Sequence, residues 1–434
     1  MRFRSRRLPA LALAGVLLLV LVGCSGGGGS GSKTVTLTLW SWLPNFQDEV
    51  TLFQKAHPNI KVRLVNAGQG TPQYTKLRTA LKAGSGAPDV VQIEFQYLPT
   101  FSTPGYLVDL AQYGANDIKG QYADWTWSQV SQGGKVYAIP WDSGPMGLLY
   151  RKDILDRYKL QVPTTWQQFA EQARKLHQAN PKLYLTDMPL NEPGMLIGLM
   201  WQAGARPFAV SGTNVTISMN SPAVIKVLDF WGGLIKEGVV ASQPDFTNDW
   251  YAGLSKGTYA SWVTAAWGPV FLQGQAANTS GKWRAAPMPQ WSATDNASAN
   301  WGGSTLAVTK QSKHPKEAAQ LAMWLMNDQA PTKTYVTKQF LFPTQRPILD
   351  SDWFAEQPYA FYGGQKVNQV FIEASKHVAT DFQWSPFQDY VFSQMTDLLG
   401  QASQGKLGFG DVPRKLQDNL VSYANSQGFK AAGA

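Results

Sequence analysis

Between Thr34 and Ile93 the apolar residues change their period back and forth. Thr34-Val35-Thr36-Leu37-Thr38-Leu39 alternates polar and apolar, the pattern of a half-buried strand. Phe46 to His57 reads as a helix, and Ile60-Lys61-Val62-Arg63-Leu64-Val65 alternates again. Tyr74, Leu77 and Leu81 return at helical spacing until Ser85-Gly86-Ala87-Pro88 breaks the run. Asp89 to Ile93 is then a short buried strand. Strand, helix, strand, helix, strand predicts a parallel sheet with crossover helices, so the chain is of the α/β class.

Ahead of this region lies a different kind of segment. Arg2, Arg4, Arg6 and Arg7 form a positive head, and Leu8 to Val22 carries no charge. That run suits the apolar middle of an export signal and is short for a spanning helix, which needs about 20 residues. Leu21-Val22-Gly23-Cys24 resembles the lipobox of bacterial lipoproteins, and Cys24 is the only cysteine in the chain. The resemblance implies cleavage of residues 1–23 as a signal peptide and lipidation of Cys24. A lone thiol in an exported protein is an oxidation hazard that acylation removes. Residues 24–32 then form the lipidated cysteine and a Gly/Ser tether, whose last eight residues reach about 28 Å at full extension. The expected location is extracytoplasmic, anchored to the cell membrane.

Loss of residues 1–23 removes four arginines and no acid, so the net charge of +9 falls to +5. The remaining basic residues are scattered, which argues against nucleic acid as a partner. With no cysteine left for disulfides, a core must supply the stability, and a chain this long can bury one. Length alone suggests two or more domains. The four histidines, His57, His177, His314 and His377, are isolated, so no metal site and no cofactor are expected. A phosphate-binding G-x-x-x-x-G-K-[ST] loop is absent, so any ATPase must be another chain.

Further along, Gly134-Lys135-Val136-Tyr137-Ala138-Ile139-Pro140 begins a new region, followed by Trp141-Asp142 and a strand through Gly147-Leu148-Leu149-Tyr150. Pro163-Thr164-Thr165-Trp166 opens a helix that Thr165 is expected to cap, with Gln168 closing the capping box. A second helix, Pro222 to Glu237, takes Ser221 as its expected cap. Thr258 to Ala265 reads as a strand ending in Trp267-Gly268-Pro269. Trp301-Gly302-Gly303-Ser304 precedes a strand over Thr305 to Thr309, and a helix spans Pro315 to Asn327. The remainder, to about Gln427, reads as mostly helical.

Taken together, these blocks resemble the substrate-binding lipoproteins of ABC importers, in particular the extracellular solute-binding proteins of family one, which hold the maltose-type carbohydrate binders. Thr38 to Trp42, Tyr74 to Leu81, Pro88-Asp89-Val90, Gly134 to Asp153, Pro163 to Trp166 and Gly302 to Leu325 carry the likeness. It implies a two-lobed fold of the periplasmic-binding-protein type, each lobe a mostly parallel sheet flanked by helices, with the ligand in the cleft between lobes. Lobe 1 would comprise residues 33–142 plus 300–346, and lobe 2 residues 143–299 plus 347–434. The implied partners are an oligosaccharide and the ABC permease subunits in the membrane, and the implied state is a monomer.

Open parallel sheets bind ligands beyond the carboxyl ends of their strands. Several of the 17 tryptophans fall at such ends. A sugar ring lays its C–H face on an aromatic ring while its hydroxyls point outward to polar groups, so tryptophans beside carboxylates make a site for it. The candidate ligand contacts are Trp40, Trp42, Glu94, Gln96, Trp141, Asp142, Trp201, Trp267, Trp301, Gly302, Arg346 and Trp384. Against each tryptophan stands the plainer reading of core packing, to which Trp166, Trp231 and Trp324 are assigned. For Glu94 and Asp142 the plainer reading is a surface or hinge ion pair. Two rival functions fit the same chain. A secreted, lipid-anchored glycoside hydrolase would also carry tryptophans and paired carboxylates, although no catalytic motif is recognisable. The same fold could instead bind a peptide, an amino acid or a polyamine, and the density of tryptophan favours a sugar.

Overall fold

The computed structural model describes residues 34–434. The signal peptide 1–23, Cys24 and the tether through Ser32 lie outside the described residues. The strands that place the site are β1 (Val35–Trp40), β2 (Ile60–Val65), β3 (Val90–Glu94), β4 (Ala138–Pro140), β5 (Met146–Arg151), β6 (Ser261–Ala265), β7 (Trp283–Pro287) and β8 (Ser304–Val308). They form two sheets, ordered β2-β1-β3-β8-β4 and β6-β5-β7.

The first sheet begins as the periods predict. β1 pairs in parallel with both β2 and β3, and the helices Gln47–Ala56 and Thr71–Ala83 make the crossovers. β8 is antiparallel to its neighbours β3 and β4. The second sheet is antiparallel throughout, unlike the mostly parallel sheet expected of it. The reason is the route of the chain. β5 leaves the junction between the sheets, while β6 and β7 run back toward it, so both must oppose β5. β8 leaves the junction in the other direction and opposes β3 and β4, which run toward it.

This routing gathers strand ends along one line. Ser304 at the start of β8 pairs with Glu94 at the end of β3, and Thr305 pairs with Pro140. On the second sheet Met146 pairs with Ala265, and Gly147 with Pro287. Between the two edges the chain crosses three times in neighbouring segments. Asp142 bridges to Pro343, and Pro145 to Asn300. Trp301 N–H donates to the Gly144 carbonyl at 2.8 Å, and Ser143 N–H to the Phe342 carbonyl at 2.9 Å.

Of the two helix caps expected from the sequence, one forms. Thr165 Oγ1 accepts from Gln168 N–H at 3.2 Å, and the Gln168 amide oxygen accepts from Thr164 N–H at 2.9 Å, one residue earlier than a capping box would place it. Ser221 occupies the cap position of the Pro222–Lys236 helix but its hydroxyl bonds to nothing, contrary to expectation. Trp166 and Trp231 are buried together, centroids 5.4 Å apart, and half-buried Trp324 packs on Phe53. A small third sheet joins Phe208–Ser211 and Asn214–Ile217 to the C-terminal strand Lys430–Gly433. Among the described residues no helix is long and apolar enough to cross a membrane.

Candidate functional site

The edge of the first sheet supplies one wall. Tyr74 reaches from the Thr71–Ala83 helix to the end of β3. Its hydroxyl donates to Glu94 Oε2 at 2.9 Å and accepts from Glu94 N–H at 3.0 Å. The Gln96 amide nitrogen donates to Glu94 Oε1 at 3.1 Å, while the buried Gln96 Oε1 has no partner. Burial pushes the Glu94 carboxyl up to about 7, against the pull of these two donors. Tyr97 stacks at a tilt on Tyr74, centroids 4.4 Å apart, and the Trp42 ring meets Tyr74 edge-on at 6.1 Å. Trp42 is held through its N–H by Gln92 at 3.2 Å. Trp40 ends β1, half-buried against the core.

The edge of the second sheet supplies an aromatic ledge. Trp267 follows β6 and its indole N–H donates to the Trp301 carbonyl at 2.8 Å. The two indoles meet edge to face at 4.6 Å and 72°. Phe246 lies within 6.0 Å of Trp267 and 6.3 Å of Trp301 and is 40% exposed. Its φ of 56° is in the left-handed region, uncommon for a bulky residue. A backbone held this way costs of order 1–3 kcal/mol and is often found at ligand clamps.

Beside the ledge stand carboxylates that the sequence did not single out. Glu192 precedes the Pro193–Gln202 helix and faces the Trp301 indole N–H. Burial, then the charges of Asp245 and Glu94, push it up to about 7. Asp245 is 4% exposed; its Oδ1 accepts from the Asn191 amide at 2.9 Å and its Oδ2 has no partner. Burial pushes Asp245 up to about 6. Deeper in, Asp187 accepts from the Trp250 indole at 3.2 Å and from Gln243 N–H at 2.8 Å, and burial takes it to about 7. Among the described residues no lysine or arginine forms an ion pair with Glu94, Glu192, Asp245 or Asp187. Neutral N–H and O–H donors hold these groups instead. The arrangement leaves acceptor capacity for a ligand's hydroxyls.

The crossing segments form the floor. Asp142 Oδ1 accepts from Ser304 N–H at 3.0 Å, and the Asp142 carbonyl accepts from the same group at 3.2 Å. Burial raises the Asp142 carboxyl to about 6, and its bond ties two crossings together. Asn300 does the same, accepting from Gly144 N–H and donating to the Gly302 carbonyl, both at 2.8 Å. Gly302 and Gly303 have φ of 78° and 88°. A Cβ on Gly303 would lie 2.7 Å from the Asp142 carbonyl oxygen.

Of the residues nominated from sequence, Trp42, Glu94, Gln96, Asp142, Trp267, Trp301 and Gly302 fall along this junction. Trp40 lies at its rim, in contact with the core. Four do not join it. Trp141 is fully buried, 4.5 Å from Phe46 by ring centroid, because the chain after Pro140 turns its side chain into the core. Trp201 stacks on Phe382 at 4.1 Å and 9°, and Trp384 packs edge-on against the same ring at 5.1 Å. Both are buried, Trp201 on a helix with no polar face. Arg346 is exposed and pairs with Asp124 at 2.8 Å, away from the ledge. Neither Glu94 nor Asp142 forms the ion pair that was the plainer reading. Among the described residues no three His, Cys, Asp or Glu side chains are placed to hold a metal.

Known proteins share this plan. The profile of the family described as bacterial extracellular solute-binding protein matches residues 40–330. The arabinooligosaccharide-binding protein of Halalkalibacterium halodurans is 24% identical over 373 residues, 80% of this chain and 82% of that protein. The lactose-binding protein of Rhizobium radiobacter is 26% identical over 354 residues, 76% and 80% of the two chains. Among solved structures, the ABC transporter associated binding protein of B. animalis subsp. lactis in complex with β-1,6-galactobiose superposes with a TM-score of 0.79 at 32% identity, covering 92% of this chain and all of that one. The galacto-N-biose-/lacto-N-biose I-binding protein of Bifidobacterium longum, in complex with lacto-N-biose, gives 0.80 at 27% identity over 92% and 99%.

Proposed function

The chain belongs to the bacterial extracellular solute-binding proteins, and on that premise we propose that it captures an oligosaccharide outside the cell and delivers it to an ABC permease. The observation that carries the reading is the Phe246–Trp267–Trp301 ledge set beside carboxylates that neutral donors hold. Apolar sugar faces suit the ledge, and sugar hydroxyls suit Glu94, Glu192 and Asp245. The ligands named for the relatives, arabinooligosaccharide, lactose, β-1,6-galactobiose and lacto-N-biose, support a sugar of two or more units.

In this reading lobe 1 is 33–142 plus 300–346 and lobe 2 is 143–299 plus 347–434, with Trp42, Glu94 and Gln96 on one side of the cleft and Trp267 on the other. Trp301, Gly302 and Asp142 belong to the joint. Cys24 carries the lipid anchor, and the protein acts as a monomer. It binds without chemistry, as its relatives are binding proteins. Calorimetry of the mature domain against a panel of di- and trisaccharides tests the central claim, with prolonged incubation and chromatography of the sugar alongside. Binding with the sugar recovered intact supports it; cleavage would make it a glycoside hydrolase. A second reading has one observation in its favour. Buried carboxylates outside any ion pair would also suit a polyamine, so spermidine belongs in the panel, and its binding in place of every sugar would decide for that class. Mass spectrometry of the native protein checks the anchor: an uncut Arg2 to Gly23 or a free Cys24 thiol would refute it.

A further inference from the structure

Trp267 and Phe271, at the start of the Gly268–Gln275 helix and one turn apart, meet edge to face at 5.7 Å and 86°. Val270 and Gly274, three and seven residues on from Trp267, share that side of the helix, and with Pro269 and Gln273 they line a groove of about 580 Å³. Its far wall is built from Phe340, Phe342, Phe354, Tyr359 and Phe361, and no charged side chain lines it. Ala266, which precedes Trp267 directly, also lines the groove, so the groove begins next to the ledge in the chain.

Two of the groove's polar side chains, Tyr362 and Asn368, are already engaged, while the exposed amides of Gln273 and Gln357 also line it. Tyr362 donates to the Pro269 carbonyl at 2.8 Å. The Asn368 amide donates to the Phe354 carbonyl at 2.8 Å and to the Tyr359 hydroxyl at 3.1 Å. Away from those two amides the wall is aliphatic and aromatic, which suits an apolar occupant. Phe340 stands at the edge with 52% of its surface exposed and a φ of 57°. Backbone held in the left-handed region is costly for a bulky residue and clusters at ligand clamps.

Resting on the sugar reading of the ledge, we propose that this groove receives an aromatic aglycone, so that the protein binds aryl glycosides more tightly than the bare sugars. A volume of this size with an apolar lining and few polar groups is ordinary for a small-molecule site. Continuity through Ala266 and Trp267 is what ties the apolar group to the sugar.

Calorimetry with matched methyl and phenyl glycosides of lactose, β-1,6-galactobiose and arabinobiose tests the idea. The phenyl member of at least one pair should bind about tenfold tighter, the effect of burying most of one ring. Phe340→Gly suits the local φ and so is expected to fold. It should erase the difference and leave the methyl glycoside's affinity unchanged. Val270→Asp, which places a charge in the groove, should do the same. Equal affinities within every binding pair would overturn this inference and leave the sugar reading standing, as would a difference that survives Phe340→Gly. Phenol binding as well with the sugar site saturated as without sugar would make the groove an independent apolar site, and would also overturn it. Binding by no pair would overturn the sugar reading and this one with it.

Discussion

At the scale of single residues, Trp267 is where substitution should be felt most. It offers a stacking face and fixes the Trp301 carbonyl through its indole N–H. Trp267→Ala is expected to cost about 1–3 kcal/mol of ligand affinity, by analogy with base stacking on aromatic side chains, or roughly 5- to 150-fold in Kd. Calorimetry beside the wild type measures it, and unchanged affinity would return Trp267 to a packing role. Glu192 makes a separate prediction about pH. Its folded value of about 7 lies above the ordinary 4.5, so the folded state holds the proton more tightly. Between these values the folded protein binds more protons than the unfolded chain, and stability falls as pH rises. The penalty is absent below about 4.5 and complete above about 7. Glu192→Gln should therefore gain stability relative to wild type as pH is raised from 4.5 to 7, read as the difference in Tm between the two across that range. A constant difference would refute the raised value. Sequence alone reached Trp267, Trp301 and Glu94 because each follows or precedes a strand whose period was clear. It missed Glu192 and Asp245, which sit in loops where no periodicity points inward. Trp201 was misassigned despite a usable sign: its helix, Pro-Gly-Met-Leu-Ile-Gly-Leu-Met-Trp-Gln, is apolar on every side, as a buried helix is.

At the scale of elements, the Gly302-Gly303 turn holds the start of β8 against Asp142. Any side chain on Gly303 meets both a left-handed φ and a carbonyl oxygen at 2.7 Å. Gly303→Ala should lose about 2 kcal/mol or more of stability, since backbone strain alone is worth about 1–3 kcal/mol. Urea unfolding of the variant would show a lower midpoint at an unchanged slope, and an unchanged midpoint would contradict the close approach. Strands and helices of the first sheet were legible because period 2 and period 3.6 differ plainly over six or more residues. Strand direction in the second sheet was not. A run such as Met146–Arg151 has the same composition whichever way its neighbours point, and only the return of β6 and β7 to the junction settles it.

For the molecule as a whole, a ligand touching both sides of the junction should draw them together. Such a ligand favours the closed arrangement only by its differential affinity for it. Small-angle scattering should show a smaller radius of gyration at saturation with a bound sugar, and no change would argue for a site on one lobe. The existence of two lobes was legible through the ordered likeness of many short blocks. The antiparallel course of the second sheet and the side-by-side run of the crossings depend on contacts between residues more than 150 positions apart, such as Asn300 with Gly144 and Ser304 with Asp142.

Those crossings have a mechanical meaning. A joint of two separate straps would let its halves twist as well as swing. Here three lie edge to edge, and Asp142 and Asn300 pin neighbours to one another. Sliding or twisting would shear those pins, so the motion left is rotation about a single line. Whether the cleft is filled is thereby expressed as one angle between two outer surfaces. A membrane partner resting on both can sense the cargo from that angle, without ever touching it.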